Sequence, residues 1–262
     1  MTTVVKLGGN ALIASANAHE LISSLASDLL HLAAAGERVI VVHGGGPHIN
    51  EVLEAYGASS VFLDGLRVTD ELTMKAVTMG LSLVNTELCA GLSSGGIATL
   101  GMSGAIQGLL TSSPKGPQWG RVGVTPKVNA GLLEHFLSLG YVPVVSPLAV
   151  DSHGDFLNCN ADAVAGAIAA SMSASTLVLL SDVDQIRRDV NDPSTALLVV
   201  SVGEVRSLIE SGAVTGGMIP KIEAAVTAVE AGAARVIIAN GSRSHGLRDA
   251  ISGTVPQTEV VT

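Results

Sequence analysis

Residues 4–10 read Val4-Val5-Lys6-Leu7-Gly8-Gly9-Asn10, an apolar strand that runs into a lysine and two consecutive glycines. Glycines at a strand end let backbone N–H groups come close to a bulky anion, because a Cβ would block the approach. The lysine adds a mobile point charge suited to a phosphoryl oxygen. On their own the same letters also describe a tight strand-to-helix turn with a solvated lysine, and only the rest of the chain separates the two.

Outward from this strand, helical and extended patterns alternate. Residues 18–35 place Leu21, Leu25, Leu29 and Leu32 at helical spacing, with Gly36 at the C-cap. Arg38–His43 is the β-branched run of a buried parallel strand, and it ends in Gly44-Gly45-Gly46-Pro47. A helix is expected over 47–56, followed by the loop Gly65-Leu66-Arg67-Val68-Thr69-Asp70. Thr69 or Asp70 can cap a helix running to about residue 93, with Glu71 in its first turn. Residues 96–127 are short alternating runs broken by Gly, Ser and Pro, and carry the single Trp119. Hairpins are expected there, as a mobile flap over a site. A helix over 128–139 and a strand over 141–146 restore the alternation. Then come a turn at Asp151–Asp155, the stretch Asn158-Cys159-Asn160-Ala161-Asp162 leading into an Ala-rich helix to about 173, and the strand Thr176–Asp182. A helix near 202–211, the turn Thr215-Gly216-Gly217-Met218, a helix over 218–231, a strand over 235–239 and a last strand near 257–261 complete the chain.

This alternation predicts an α/β fold, a three-layer αβα sandwich around a mainly parallel central sheet, with right-handed crossovers and a β-hairpin flap. No repeat, low-complexity linker or charge block divides residues 1–262. One domain is expected, with lobes of about 1–150 and 151–262.

Composition narrows the function classes. Hydrophobic residues make up 47% and charged ones only 14%, as a large covered interior requires, and with 2% aromatics that interior must be built from small aliphatic residues in close layers. No apolar run approaches the roughly 18 residues of a membrane span. The N-terminus shows no basic region followed by an apolar one, so a soluble, cytoplasmic protein is expected. Cys89 and Cys159 lack metal-ligand spacing and are too few for a disulfide framework, which leaves them as packing residues. A net charge of -9 argues against a nucleic-acid surface and weighs against docking an acidic protein.

Parallel sheets of this kind place ligands outside the carboxyl ends of their strands. Four features sit at such ends: Lys6-Leu7-Gly8-Gly9, His43-Gly44-Gly45-Gly46, Ser181-Asp182, and Asn158–Asp162. The dinucleotide fingerprint is absent, because Gly8-Gly9 runs into Asn10-Ala11-Leu12 and the second strand ends in His43-Gly44 rather than an acid. A Walker A loop is also absent, so phosphate binding must use another arrangement.

These residues resemble the amino acid kinase family, and within it the N-acetyl-L-glutamate kinases. The resemblance covers essentially the whole chain, through Lys6–Gly9, His43–Gly46, Gly65–Asp70, Asn158–Asp162, Ser181–Val183 and Gly216-Gly217-Met218-Ile219-Pro220-Lys221. It implies an ATP-dependent kinase that phosphorylates the side-chain carboxylate of N-acetyl-L-glutamate. Lys6 would contact the transferring phosphoryl group, Lys221 the nucleotide phosphates, and Asp162 would hold both ammonium groups in place. An ionised carboxylate nucleophile needs no general base. Gly8, Gly9 and Gly45 would offer amides to phosphoryl oxygens. Gly45, Gly46, Arg67 and Asn158 would hold the acylated amino acid, Arg67 as a fork on its α-carboxylate. Asp182 and Gly217 would belong to the nucleotide lobe, residues 151–262. Mg²⁺ would enter with ATP on phosphate and water oxygens, so no all-protein metal site is expected.

Each residue also has a plainer reading. Lys221 could be a solvated helix charge, Asp162 an acid favoured by a helix N-terminus, and Arg67 a loop ion pair. Asn158 and Asn160 both suit a turn before a helix; one of them is structural, and Asn158 is taken for the substrate. His43 is given no catalytic role. Three stretches depart from the family pattern: Gly104-Ala105-Ile106 lacks a flap Lys-Asp pair, Asp184-Gln185 replaces a Pro/Ser-Gly turn, and Ala239-Asn240-Gly241 replaces Ile-Asp-Gly. A chain starting at its first strand resembles the arginine-insensitive homodimeric members, with the helix at 70–93 as the expected dimer contact. Two further readings stand beside this one: a sibling kinase acting on another acylated or carrier-bound glutamate or aminoadipate, and a silent binding protein that has kept the fold.

Overall fold

The computed structural model describes residues 1–8, 17–189, 191–214 and 218–262. Its helices are α1 (Ala18–Ala34), α2 (Gly46–Ala55), α3 (Glu71–Ser94), α4 (Ala130–Ser138), α5 (Ala161–Ser171), α6 (Val202–Glu210), α7 (Met218–Glu230) and α8 (Gly246–Ser252). Its strands are β1 (Thr2–Leu7), β2 (Arg38–His43), β3 (Phe62–Leu63), β4 (Leu66–Arg67), β5 (Thr99–Ser103), β6 (Leu110–Thr111), β7 (Lys127–Val128), β8 (Val142–Ser146), β9 (Leu148–Val150), β10 (Phe156–Asn158), β11 (Thr176–Ser181), β12 (Val199–Ser201), β13 (Arg235–Asn240) and β14 (Gln257–Val261).

Eight strands form one sheet in the order β12-β14-β13-β11-β1-β2-β8-β5. Every neighbouring pair is parallel except β13 and β14. The αβα architecture expected from the alternation is what forms. Strands covered on both faces cannot alternate apolar with polar, which is why β1, β2 and β11 read as continuous apolar runs.

The two faces separate by the two-residue period of the strand. Val5, Leu7, Val41 and Leu180 pack with α1, α3 and α8 residues such as Leu25, Leu88 and Leu247. Val4, Val42, Leu177 and Leu179 pack with residues of α4, α5 and α7, including Leu133, Ile168 and Ile222. Lys6, two residues after Val4, therefore emerges on the α5 and α7 side, in register with Val42 and Leu179.

The region 96–127 differs from the hairpins expected of it. Its first part is β5, an edge strand of the main sheet parallel to β8. Only from β6 onward does the chain fold back, pairing β6 with β7 and joining a second sheet of order β10-β9-β6-β7. Between β6 and β7 the flap closes on itself through the antiparallel bridge Pro114↔Gly123 and is stitched to its surroundings by Thr69↔Gly120 and Val122↔Asn158. Gly120, at φ +64°, comes so close to the Thr69 carbonyl that a Cβ would stand 2.4 Å from its oxygen. Any side chain there would push the flap off the loop.

One local cap starts α3 and one long-range contact sets the approach of α2 to it. Asp70 caps α3 by accepting from Thr73 N at 2.7 Å. Gly80 in that helix lets the α2 backbone settle onto it: a Cβ would meet Ile49 N at 2.9 Å. This close crossing holds the N-terminus of α2 at the end of β2. Among the described residues, no helix is long and apolar enough to cross a membrane.

Candidate active site

The carboxyl ends of β2, β1 and β11 lie side by side, and the charged residues singled out from the sequence meet there. Asn160 caps α5 by accepting from Asp162 N (2.9 Å) and Ala163 N (3.0 Å). With Asn160 fixed in that task, Asp162 stands in the first turn, 6% exposed and facing the sheet. Lys6 Nζ is 2.9 Å from Asp162 Oδ1, and Lys221 Nζ is 3.4 Å from Asp162 Oδ2. Both lysines are 7% exposed, so neither is a solvated surface charge.

One carboxylate cannot balance two ammonium groups. Burial alone would raise the Asp162 carboxyl, but Lys6 and Lys221 outweigh it and hold it below the ordinary carboxylate range. Lys221 is lowered, first by burial and then by the neighbouring Lys6 charge, which the Asp162 and Asp182 carboxylates only partly offset. The cluster carries surplus positive charge in a water-poor place, and a polyanion is the ligand that relieves it.

Beside it, at the end of β2, Gly45, Gly46, Arg67 and Asn158 line a single cavity of about 180 Å³. Gly45 caps α2, whose first amides have no helical partner and form a ready anion site. Arg67 is 9% exposed as a residue, and its guanidinium lies 4.9 Å from the centre of the Phe62 ring. It donates to Asn50 Oδ1 (2.8 Å) and to Gly46 O (3.3 Å), which uses two of its five N–H groups. Among the described residues it has no carboxylate partner, so it is not the loop ion pair of the plainer reading. Asn158 donates from Nδ2 to the buried Thr69 Oγ1 (3.0 Å), which itself donates to Arg67 O (2.7 Å). Thr69 thus joins Asn158 to the Arg67 strand, a role its helix-capping chemistry did not suggest.

On the other side of β1, residues 182–187 with Ala213, Val214 and Met218 wall a cavity of about 210 Å³, and Asp182 belongs to it. Two sequence departures meet here: Asp184 Oδ1 accepts from Asn240 Nδ2 (3.2 Å) and from Arg243 Nη2 (2.8 Å). A third, larger cleft of about 650 Å³ lies over α5 and α7, lined by Lys115, Trp119, Thr125 and Glu223 among others. It shares Gly65, Leu66 and Asn160 with the Arg67 cavity, so the two adjoin.

Two expectations change or fall outside view. The Gly8 N–H donates to Leu180 O at 2.9 Å and so completes the β1–β11 ladder, which corrects its assignment as a free amide for a phosphoryl oxygen. What Gly8 still offers is the missing side chain. Gly9 and Gly217 lie outside the described residues. Among the described residues, no group of three or more His, Cys, Asp or Glu could hold a metal ion. Burial pushes the Cys159 thiol up to about 11, too high for a nucleophile at neutral pH.

His43 is structural. Its Nδ1 donates to Gly44 O (2.8 Å), and Nε2 accepts from Asn85 Nδ2 (2.9 Å), which also donates to Val144 O (2.9 Å). Only the neutral ring satisfies this network. Burial lowers His43 from 6.5 to about 4, against a weaker pull upward from the Gly44 carbonyl. As pH falls, the unfolded chain binds this proton first, so stability is lost between about 6.5 and about 4, by roughly 3 kcal/mol in all. His43→Gln should flatten that part of a stability-against-pH curve measured by denaturant unfolding.

The amino acid kinase family profile matches residues 1–240. The chain is 41% identical over 249 residues to the chloroplastic acetylglutamate kinase of Arabidopsis thaliana, covering 94% of this chain and 71% of that protein. It is 40% identical over 257 residues to the acetylglutamate kinase of Methanocaldococcus jannaschii, covering 93% and 84%. The solved structure of smu.665 from Streptococcus mutans superposes with a TM-score of 0.82 at 27% identity, over 99% of this chain and 98% of that one.

Proposed function

This chain belongs to the amino acid kinase family, and from that premise we propose that it transfers the terminal phosphoryl group of ATP to the side-chain carboxylate of N-acetyl-L-glutamate. The product is N-acetyl-L-glutamyl 5-phosphate, an acyl phosphate of arginine biosynthesis. The observation that carries the reading is the surplus positive charge of Lys6, Asp162 and Lys221, set between two cavities of different character.

A carboxylate oxygen attacks the γ-phosphorus, the bond from that phosphorus to the β,γ-bridging oxygen breaks, and ADP leaves. No proton moves, which matches a site built of lysines and amides rather than a base. In an in-line, loose transition state the charge spreads over the equatorial oxygens and the two ends. Lys6 meets the transferring group, Lys221 meets the nucleotide phosphates, and Asp162 keeps both ammonium groups in position. Arg67 takes the α-carboxylate of the acceptor with its remaining N–H groups, and Asn158 and the Gly45 and Gly46 amides complete the acceptor cavity. Mg²⁺ would be carried by the phosphates of ATP rather than by a protein cage and would supply further positive charge to the transferring group. A homodimer through α3 fits the exposed Met79 and Leu83 on that helix, and cytoplasmic residence fits the chemistry.

Incubation with N-acetylglutamate and MgATP should yield hydroxylamine-trappable product; none with any acylated amino acid would overturn the proposal. Arg67→Lys keeps the charge and loses the fork. It should raise KM for the acceptor by roughly 10- to 100-fold, from a charged hydrogen bond of about 1.5–3 kcal/mol, with a much smaller change in kcat.

The cleft of about 650 Å³ beside the acceptor cavity favours a second reading, an acceptor whose acyl group extends past Gly65, Leu66 and Asn160. A glutamyl or aminoadipyl group tethered to a carrier would fit that description. Steady-state kinetics decides: a higher kcat/KM for N-acetylaminoadipate or a carrier-bound substrate than for N-acetylglutamate would replace the first reading with the second.

A further inference from the structure

The cavity at the end of β11 has apolar walls in Val214 and Met218 and a charged mouth. Asp182 at that mouth is close enough to Lys221 to act on its charge. A nucleotide would therefore lie with its phosphates toward Lys221 and its base among the apolar residues, an orientation that rests on the kinase reading above.

Several polar groups of the turn are already engaged, which narrows what could recognise the base. Val183 N–H donates to Ser181 Oγ (3.2 Å) and Ile186 N–H to Thr258 Oγ1 (2.9 Å). Asp184 Oδ1 is taken by Asn240 and Arg243. Gln185, half-buried on the cavity wall, donates from Nε2 to Gln257 O at 3.1 Å. Only the nitrogen of a carboxamide can donate to a carbonyl, so this bond fixes which way the side-chain amide faces. Its Oε1 has no donor among the described residues and is left as an oriented acceptor in a pocket whose other walls include Ile186, Val214 and Met218 beside the charged Asp182, Asp184 and Arg187.

We propose that Gln185 selects adenine, its Oε1 accepting from the exocyclic amino group. Guanine presents a carbonyl at the corresponding ring position, and two acceptors would then face each other with neither satisfied. Sites that hydrogen-bond a particular donor discriminate against analogues that lack it, here to the extent that the half-buried Oε1 loses its partner.

The test uses the wild-type protein with ATP, GTP and purine riboside triphosphate, which lacks the exocyclic amine, and then Gln185→Leu and Gln185→Lys with the same three. In the wild type, kcat/KM should fall about tenfold or more on removal of the amine, mostly through KM, and further for GTP. Gln185→Leu should raise KM for ATP while leaving the other two nearly unchanged, so that the preference collapses. Gln185→Lys, which offers a donor, should move the ratio toward GTP. Equal use of ATP and purine riboside triphosphate by the wild type would overturn the inference without touching the kinase reading, and needs no variant to fold. No turnover of any nucleotide would overturn the kinase reading, and this inference with it.

Discussion

Replacing Lys6 with methionine should lower kcat by about 10²- to 10³-fold, the loss typical of removing one preorganised donor to developing charge, while leaving the fold at least as stable as before. The two halves of this expectation have one cause. Asp162 faces two buried ammonium groups, so taking one away leaves a balanced pair with Lys221 rather than an orphaned charge. Removing one partner of an ordinary buried pair costs about 3–5 kcal/mol, and here that cost is absent. Lys221→Met should behave in the same way, with a larger effect on KM for ATP. The measurement is kcat at saturating substrates together with thermal unfolding of the same samples. A kcat within threefold of wild type would sink the assignment of Lys6, and a large fall in Tm alongside lost activity would make its role structural.

Asp162→Asn is the opposite case and should be the most damaging single change in the site. It leaves two buried cations without a counter-charge, which costs about 3–5 kcal/mol, and it frees both lysines to leave the positions that the proposed transfer needs. Polyphosphate can replace the missing negative charge, so ADP should raise the Tm of this variant by more than it raises that of wild type. Equal shifts would mean that the phosphates do not reach this cluster. The pH signature is distinct too. Because Asp162 titrates below its unfolded value, its contribution is present above the ordinary aspartate value of 3.8 and disappears only as pH falls below it. The His43 contribution is lost earlier, between about 6.5 and about 4, so Asp162→Asn should leave that upper part of the acid profile unchanged.

Much of this architecture could be read from letters alone, for a physical reason. Buried parallel strands such as Arg38–His43 must be apolar throughout, and the glycines that end them line the proposed site, so strand and candidate site are marked by neighbouring residues. The strand Thr99–Ser103 was hidden because an edge position asks little of its side chains: Thr-Leu-Gly-Met-Ser has one β-branched residue and a central glycine. The helix Gly246–Ser252 was hidden among Gly, Ser and His, and it depends on the distant Asp28, which accepts from Arg248 N at 3.1 Å. In the site, Lys6, Asp162 and Lys221 were legible because each sits in its own motif. The bonds from Asp184 to Asn240 and Arg243 were not, since they join residues 56 and 59 positions apart. Nor could spacing tell that the Gly8 amide is consumed by Leu180.

The position of β1 between β2 and β11 has a consequence for how the protein is made. Lys6 belongs to β1, yet one edge of that strand finds its partner only at Thr176–Ser181, and the aspartate and second lysine stand at 162 and 221. During synthesis the β1 edge stays open while most of the chain is still being added, and unpaired strand edges are where nascent chains stick to one another. A chain cut short just before residue 176 has Asp162 but lacks both β11 and Lys221, so it holds no complete cluster. Lys221, the last member of the cluster in chain order, is also the one that turns a balanced pair into a site with surplus positive charge.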